Sequence, residues 1–384
     1  MQSAVKLSRF AAPFLALSFP SLTFAQHYTQ TNLVSDIAST SPDHDVNLKN
    51  PWGLSRSTGS PWWVSDNGTG LSTLYDITGT TSTLAATTNS RVVVIPPPHG
   101  SSSPSTPTGT VFNGSTDFAL APGIPALFLF VTEDGTISGW NPGVDPAHPN
   151  NATLKVDNSP NAVYKGVTTG DVNGVRYLYV ANFRSGHIEV YDTNFKAVQL
   201  SQDGDGDTGS NSDHHGSFSD DEIPQGYAPF NVQNIGGSLF VTYAKQDSAQ
   251  HDNVPGAGFG FVDIFSTSGK LERRLQHGSW LNSPWGVVWA PRDFGEFSNR
   301  VLVGNFGSGQ IAAFNGFTGK FIGMMKNPDD TTLTIDGLWA LAFGNSASAG
   351  PYNALFFTAG PNSEADGLFG ALTAVGSEQD GDEE

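Results

Sequence analysis

The sequence predicts an all-β chain folded as a six-bladed β-propeller and closed by its own N-terminal strand, and three observations carry that prediction. A small or amide residue heads an apolar run at Gly53, Gly109, Gly166, Asn231, Gly286 and Ala340, with successive spacings of 56, 57, 65, 55 and 54 residues. Each anchor is followed by a second apolar run ending in a polar turn and then by a third, so one unit of short strands recurs six times. Finally, Asn50-Pro51-Trp52-Gly53 returns as Asn282-Ser283-Pro284-Trp285-Gly286. Short strands joined by tight turns at a fixed period read as propeller blades.

The chain opens with Lys6 and Arg9, an apolar run broken by Pro13 and Pro20, and Thr23-Phe24-Ala25, which reads as a signal peptide over residues 1–25. No later run approaches about 18 apolar residues, so no membrane span is expected. Removing the leader leaves 16 cationic against 36 acidic side chains, a net charge of −20. A chain that acidic lacks the basic surface that nucleic acid requires. With no cysteine, disulfides, thiolate metal sites and thiol nucleophiles are all excluded. A single propeller domain is expected over residues 26–376, as a monomer.

The small anchors have a steric reason. First strands of all blades converge on the channel, where Gly or Ala relieves crowding. Apolar residues of later strands, among them Trp62, Trp63, Phe128, Phe130, Phe356 and Phe357, are expected to pack blade on blade. Five blades offer a fourth strand, at 91–95, 152–156, 196–200, 270–275 and 320–325, whereas the sixth runs into an acidic tail at 377–384. The unassigned strand at 28–34 is therefore expected to pair into blade six and hide both sheet edges.

An acidic insertion at 201–222 accounts for the one long spacing. Its Asp203, Asp205 and Asp207 alternate as in a calcium loop, but Thr208 stands where the sharp turn needs Gly and His214 where it needs Glu. His214 and His215 are adjacent, and the other histidines repeat at no blade position, so no three-histidine zinc site is expected.

Topology gives a better constellation. Inner-strand starts and the turns between second and third strands open on one face, around the channel mouth. Asp66, Glu133, Asn182, Asn231 and Asn305 there could offer oxygen ligands to Ca²⁺ or another divalent cation, although Asn and Asp also favour tight turns for backbone reasons. Trp52, Trp285 and Trp339 are expected to form an aromatic rim for a flat ligand, or to fill gaps between blades. Lys165 and Arg184 are the cations placed to hold a ligand carboxylate.

A collinear set of motifs, NPWGL from Asn50, VTEDG from Val131, NFRSG from Asn182, YAPFN from Tyr227, VGNFGSG from Val303 and IDGLWAL from Ile335, resembles a family of secreted NHL-like propellers without assigned function, over residues 33–374. More distantly, the plan is similar to NHL-repeat, regucalcin and gluconolactonase-type propellers, which implies a divalent cation at the channel mouth but transfers no individual ligand. Two functions follow as expectations. One is a secreted binding module whose channel mouth takes a small molecule, glycan or peptide. The alternative is a divalent-metal-dependent hydrolase of lactones or esters, with Asp66, Glu133 or Asp336 as general base.

Overall fold

The computed structural model describes residues 27–200 and 218–375. The expected leader, the acidic tail and the Asp203, Asp205, Asp207, His214 and His215 run lie outside the described residues. Within them, six sheets form the blades, antiparallel except where Asp43–His44 adds parallel to Tyr28–Ser35 at the edge of blade six, and the sole helical element is a 3-10 turn at Gly295–Phe297.

The inner strands of blades one to six are Pro51–Ser55, Pro107–Phe112, Tyr164–Val172, Tyr227–Ile235, Pro284–Trp289 and Leu338–Phe343. All six share one irregularity. Pro51 and Leu54 pair with Asp66 and Val64, Pro284 and Val287 with Asn305 and Val303, and Leu338 and Leu341 with Ala359 and Phe357. The inner strand thus holds one residue more than its partner, a β-bulge, and the same offset recurs in blades two, three and four. Each bulge coincides with the small anchor. A Cβ on Gly109 would lie 2.8 Å from the Val167 nitrogen, and one on Gly286 2.7 Å from the Trp339 carbonyl oxygen. Neighbouring backbones pack directly on the anchors, which is why size is restricted there.

Alternation along the second strands then sets the packing between blades. Trp62 faces blade six, 5.2 Å from the Phe356 ring, while adjacent Trp63 faces blade two, stacked at 4.1 Å on Phe128. The outer strands of blades two to five form near the expected positions. Blade one differs. In place of one strand at 91–95, the edge is divided between Ala85–Thr88, paired with the end of Leu71–Thr78, and Val93–Val94, paired with its start. Burial of Val93 against Trp63, Phe128 and Trp140 draws the second piece inward.

The N-terminal clasp forms as the unpaired edges require. Tyr28–Ser35 runs antiparallel to Leu368–Ala374 as the outer strand of blade six. Tyr28 anchors it, fully buried, donating from its hydroxyl to the Phe294 carbonyl at 2.9 Å and accepting from the Phe297 amide at 3.1 Å. Its ring stacks on Phe297 at 5.9 Å. Because no disulfide closes the ring, Tyr28→Ala should cost about 3–5 kcal/mol, the usual range for deleting a buried aromatic, measured by urea unfolding. A loss below about 1 kcal/mol would show that the clasp does not hold the ring shut.

Candidate functional site

The residue before each anchor is Trp52, Thr108, Lys165, Phe230, Trp285 or Trp339, and all of these but Thr108, which donates to backbone carbonyls, pack together. Four members are aromatic. Trp52 stacks on Trp339 at 3.5 Å and meets Trp285 edge-on at 6.2 Å, while Phe306 covers the other side of Trp339 at 3.9 Å. All three tryptophans are buried. They converge as expected, but as a plug and not as an open rim, because their faces are already covered by one another and by Phe230 and Phe306. At the waist below the plug the channel leaves only about 20 Å³ between Gly53, Gly109, Asn231, Gly286 and Ala340. That holds a water molecule and no sugar.

Four of the five expected oxygen ligands are hydrogen-bonded into the scaffold. Asp66, Asn182 and Asn305 occupy the equivalent end of the second strand in blades one, three and five, and each serves its own blade. Asp66 accepts from the Thr73 amide at 3.0 Å, Asn182 from Val163 and Ser185 at 3.2 Å, and Asn305 from Asn282 at 2.8 Å. Asn231 donates to the Trp285 carbonyl at 2.7 Å and accepts from Val232, tying blade four to blade five. No hydrogen bond joins any two of the five among the described residues. Asp336 accepts from the Asn362 amide at the rim of blade six, and Arg184 donates to the Pro160 carbonyl at 2.6 Å.

Glu133 joins side chains from other blades. Lys165, 1% exposed, donates to Glu133 Oε1 and lies 3.8 Å from Asp252 Oδ1. Its ammonium also sits 4.8 Å from the Trp52 ring, 5.6 Å from Phe183 and 5.9 Å from Phe230, an aromatic setting that favours a cation. The second Glu133 oxygen accepts from Asn67 at 2.8 Å. Asn50 accepts from Trp339 Nε1 at 3.1 Å and donates to Glu364 at 2.8 Å. His251 Nδ1 and Asp252 Oδ1 lie 2.9 Å apart. That contact raises the His251 pKa and lowers that of Asp252, leaving an imidazole oriented by a carboxylate. Ligand atoms of Glu133, His251 and Asp252 all lie within 4.8 Å of one another.

No protein-family model matches the chain. Sequence relatives do: it is 33% identical over 359 residues to uncharacterized protein R648 of Acanthamoeba polyphaga mimivirus, covering 91% of this chain and 80% of that protein. Uncharacterized protein L690 of the same virus is 31% identical, over 85% and 81% of the two chains. The chain belongs to the family of these viral proteins. Among solved structures, a GH93 α-L-arabinofuranosidase of Fusarium graminearum in complex with arabinobiose aligns over 91% of this chain and 98% of its own, at a TM-score of 0.52 and 9% identity, a likeness of fold alone. Within the family the six-bladed, NHL-like plan read from the motifs holds. No helix among the described residues is long and apolar enough to cross a membrane.

Asp66 gives a test of its structural role. Fully buried, with Oδ1 unpartnered, it has a pKa pushed well above the usual carboxylate range, chiefly by desolvation. A carboxylic acid whose folded pKa is raised stabilises the fold while protonated and loses that contribution as pH rises through the folded value. Asp66→Asn keeps the acceptor for Thr73 and removes the charge. Its melting temperature should therefore exceed that of the wild type by more at pH 8 than at pH 5. Equal offsets at both pH values would mean that Asp66 does not titrate in the folded range.

Proposed function

We propose that this protein is a secreted binding propeller that takes a polyhydroxylated small molecule or glycan end on the channel-mouth face centred on Lys165. The observation supporting this is convergence: Asn50 and Asn67 of blade one, Glu133 of blade two, Lys165 of blade three, His251 and Asp252 of blade four and Glu364 of blade six form one hydrogen-bonded and ion-paired group over a closed floor. A sugar hydroxyl both donates and accepts, and suits a surface that alternates amide and ammonium donors with carboxylate acceptors. Because the tryptophan faces are covered, recognition falls to polar contacts, with Trp52, Trp285 and Trp339 supporting the floor. The leader-like start at Lys6 to Ala25 supports an extracytoplasmic chain.

The test is thermal shift and saturation-transfer NMR against a panel of neutral, amino and uronic sugars. At least one class should raise the melting temperature, since a ligand bound only to the folded state must do so. Asp252→Asn and His251→Ala lie on the exposed side of the group, so they should leave the unliganded melting temperature within about 1 °C while weakening binding about tenfold or more. A panel without any shift, or binding that both variants retain, would refute the assignment.

One observation favours the competing reading, a divalent-metal-dependent hydrolase of lactones or esters: the Glu133, His251 and Asp252 triad. Chelator-sensitive turnover of a lactone or ester panel would support it. The position of Lys165 stands against it.

A further inference from the structure

The propellers that this chain is similar to imply a divalent cation at the channel mouth, and the residues here do not fit one. Calcium takes six to eight oxygen ligands at about 2.3–2.6 Å. Of the five oxygen-bearing residues that topology brings towards this face, four are hydrogen-bonded into the scaffold, and the one oxygen left over, Asp66 Oδ1, is fully buried. The fifth residue, Glu133, has two close neighbours of metal-ligand type, His251 and Asp252. A cation is already in contact with that triad. The Lys165 ammonium donates to Glu133, lies 3.8 Å from Asp252, and is walled on its other sides by Trp52, Phe183 and Phe230.

We propose that the Lys165 ammonium is a tethered replacement for the divalent cation, so that the mouth is electrostatically complete without metal. Three features carry this. Lys165 stems from an inner strand, at the ring position that aromatic residues hold in four other blades, so its head is delivered to the mouth by the backbone. Its side chain is 1% exposed and closed in by three aromatic rings, which leaves it no solvent route away from Glu133. Burial of an ammonium is costly unless it is paired, and here Glu133 and Asp252 pair with it while the ring faces add cation–π attraction. A divalent ion entering the triad would meet that fixed positive charge within a few ångströms, with the triad itself offering two carboxylates to offset both.

The inference is independent of which ligand the mouth takes, and its test needs no substrate. Wild-type protein purified without chelator is dialysed and assayed for bound metal by mass spectrometry, then titrated with Ca²⁺, Mn²⁺ and Zn²⁺ while its melting temperature is followed. No stoichiometric metal and no saturable shift are expected. Lys165→Met, close in volume and uncharged, vacates the triad. This variant should gain a saturable rise with Mn²⁺ or Zn²⁺ of about 3 °C at ten times the Kd, lost again in Lys165→Met/His251→Ala. One equivalent of metal in the wild type that disappears in Glu133→Gln would overturn the proposal, whether or not Lys165→Met folds. A folded Lys165→Met that gains no metal response would overturn it equally, because the ammonium would then not be holding a cation's place.

Discussion

Crowding at the axis is the constraint on which the rest of this structure depends. Six inner strands cannot approach one another with side chains between them, so every blade places a small or locally bonded residue at the waist and adds one residue to the inner strand. A backbone solution to steric crowding therefore bears on which side chains close this end of the channel.

In that floor, burial of aromatic area and placement of charge oppose each other. Tryptophan and phenylalanine close the channel at four positions and bring hydrophobic stabilisation with them. Lys165 brings none. An ion pair as buried as Lys165 with Glu133 recovers little net stability once desolvation is counted, and an apolar residue of similar volume would serve the plug as well or better. Thermodynamic stability is thus a poor reason for a lysine in this ring. Its ion pairs cross three blades, to Glu133 in blade two and Asp252 in blade four, and the neighbouring amides of Asn50 and Asn67 extend the same polar surface.

Much of the fold was legible because its signals are local and repeated. Anchor spacing marked the blades, and the count of outer strands left Tyr28–Ser35 as the only candidate to close the ring. Blade one's divided edge was not legible, since the inward pull on Val93 comes from Trp63 and from Phe128 in the next blade. The site was read less well. Asp66, Asn182 and Asn305 were candidates because a turn-capping carboxylate or amide has the same composition as a metal ligand. Trp52, Trp285 and Trp339 were placed together correctly, but sequence does not show whether a ring face is covered. His251, Asp252 and Glu364 were missed for the opposite reason: they match no repeat. One signal was available, because the connections from Lys245 to Gly260 and from Ala359 to Leu368 are longer than the same turn in the other blades, and the missed residues lie on them.

Departure from the repeat is still not enough to mark a functional residue, as Asn231 and Lys165 show. Both break the pattern of their ring, one replacing glycine at the waist and the other an aromatic at the floor. Asn231 gives its amide nitrogen to the Trp285 carbonyl and its oxygen to the Val232 amide, so each polar atom is bonded to backbone of the scaffold and has nothing left to exchange. Lys165 is bonded to side chains, and those carboxylates belong to other blades, one of them on an exposed loop. Bonds to backbone are fixed when the propeller closes, whereas bonds among side chains at a solvent boundary can be traded for bonds to a ligand without moving a strand. On that criterion the hydrogen bonds of Asp66, Asn182, Asn231 and Asn305 hold blades, whereas those among Lys165, Glu133, His251 and Asp252 are ones a ligand could exchange.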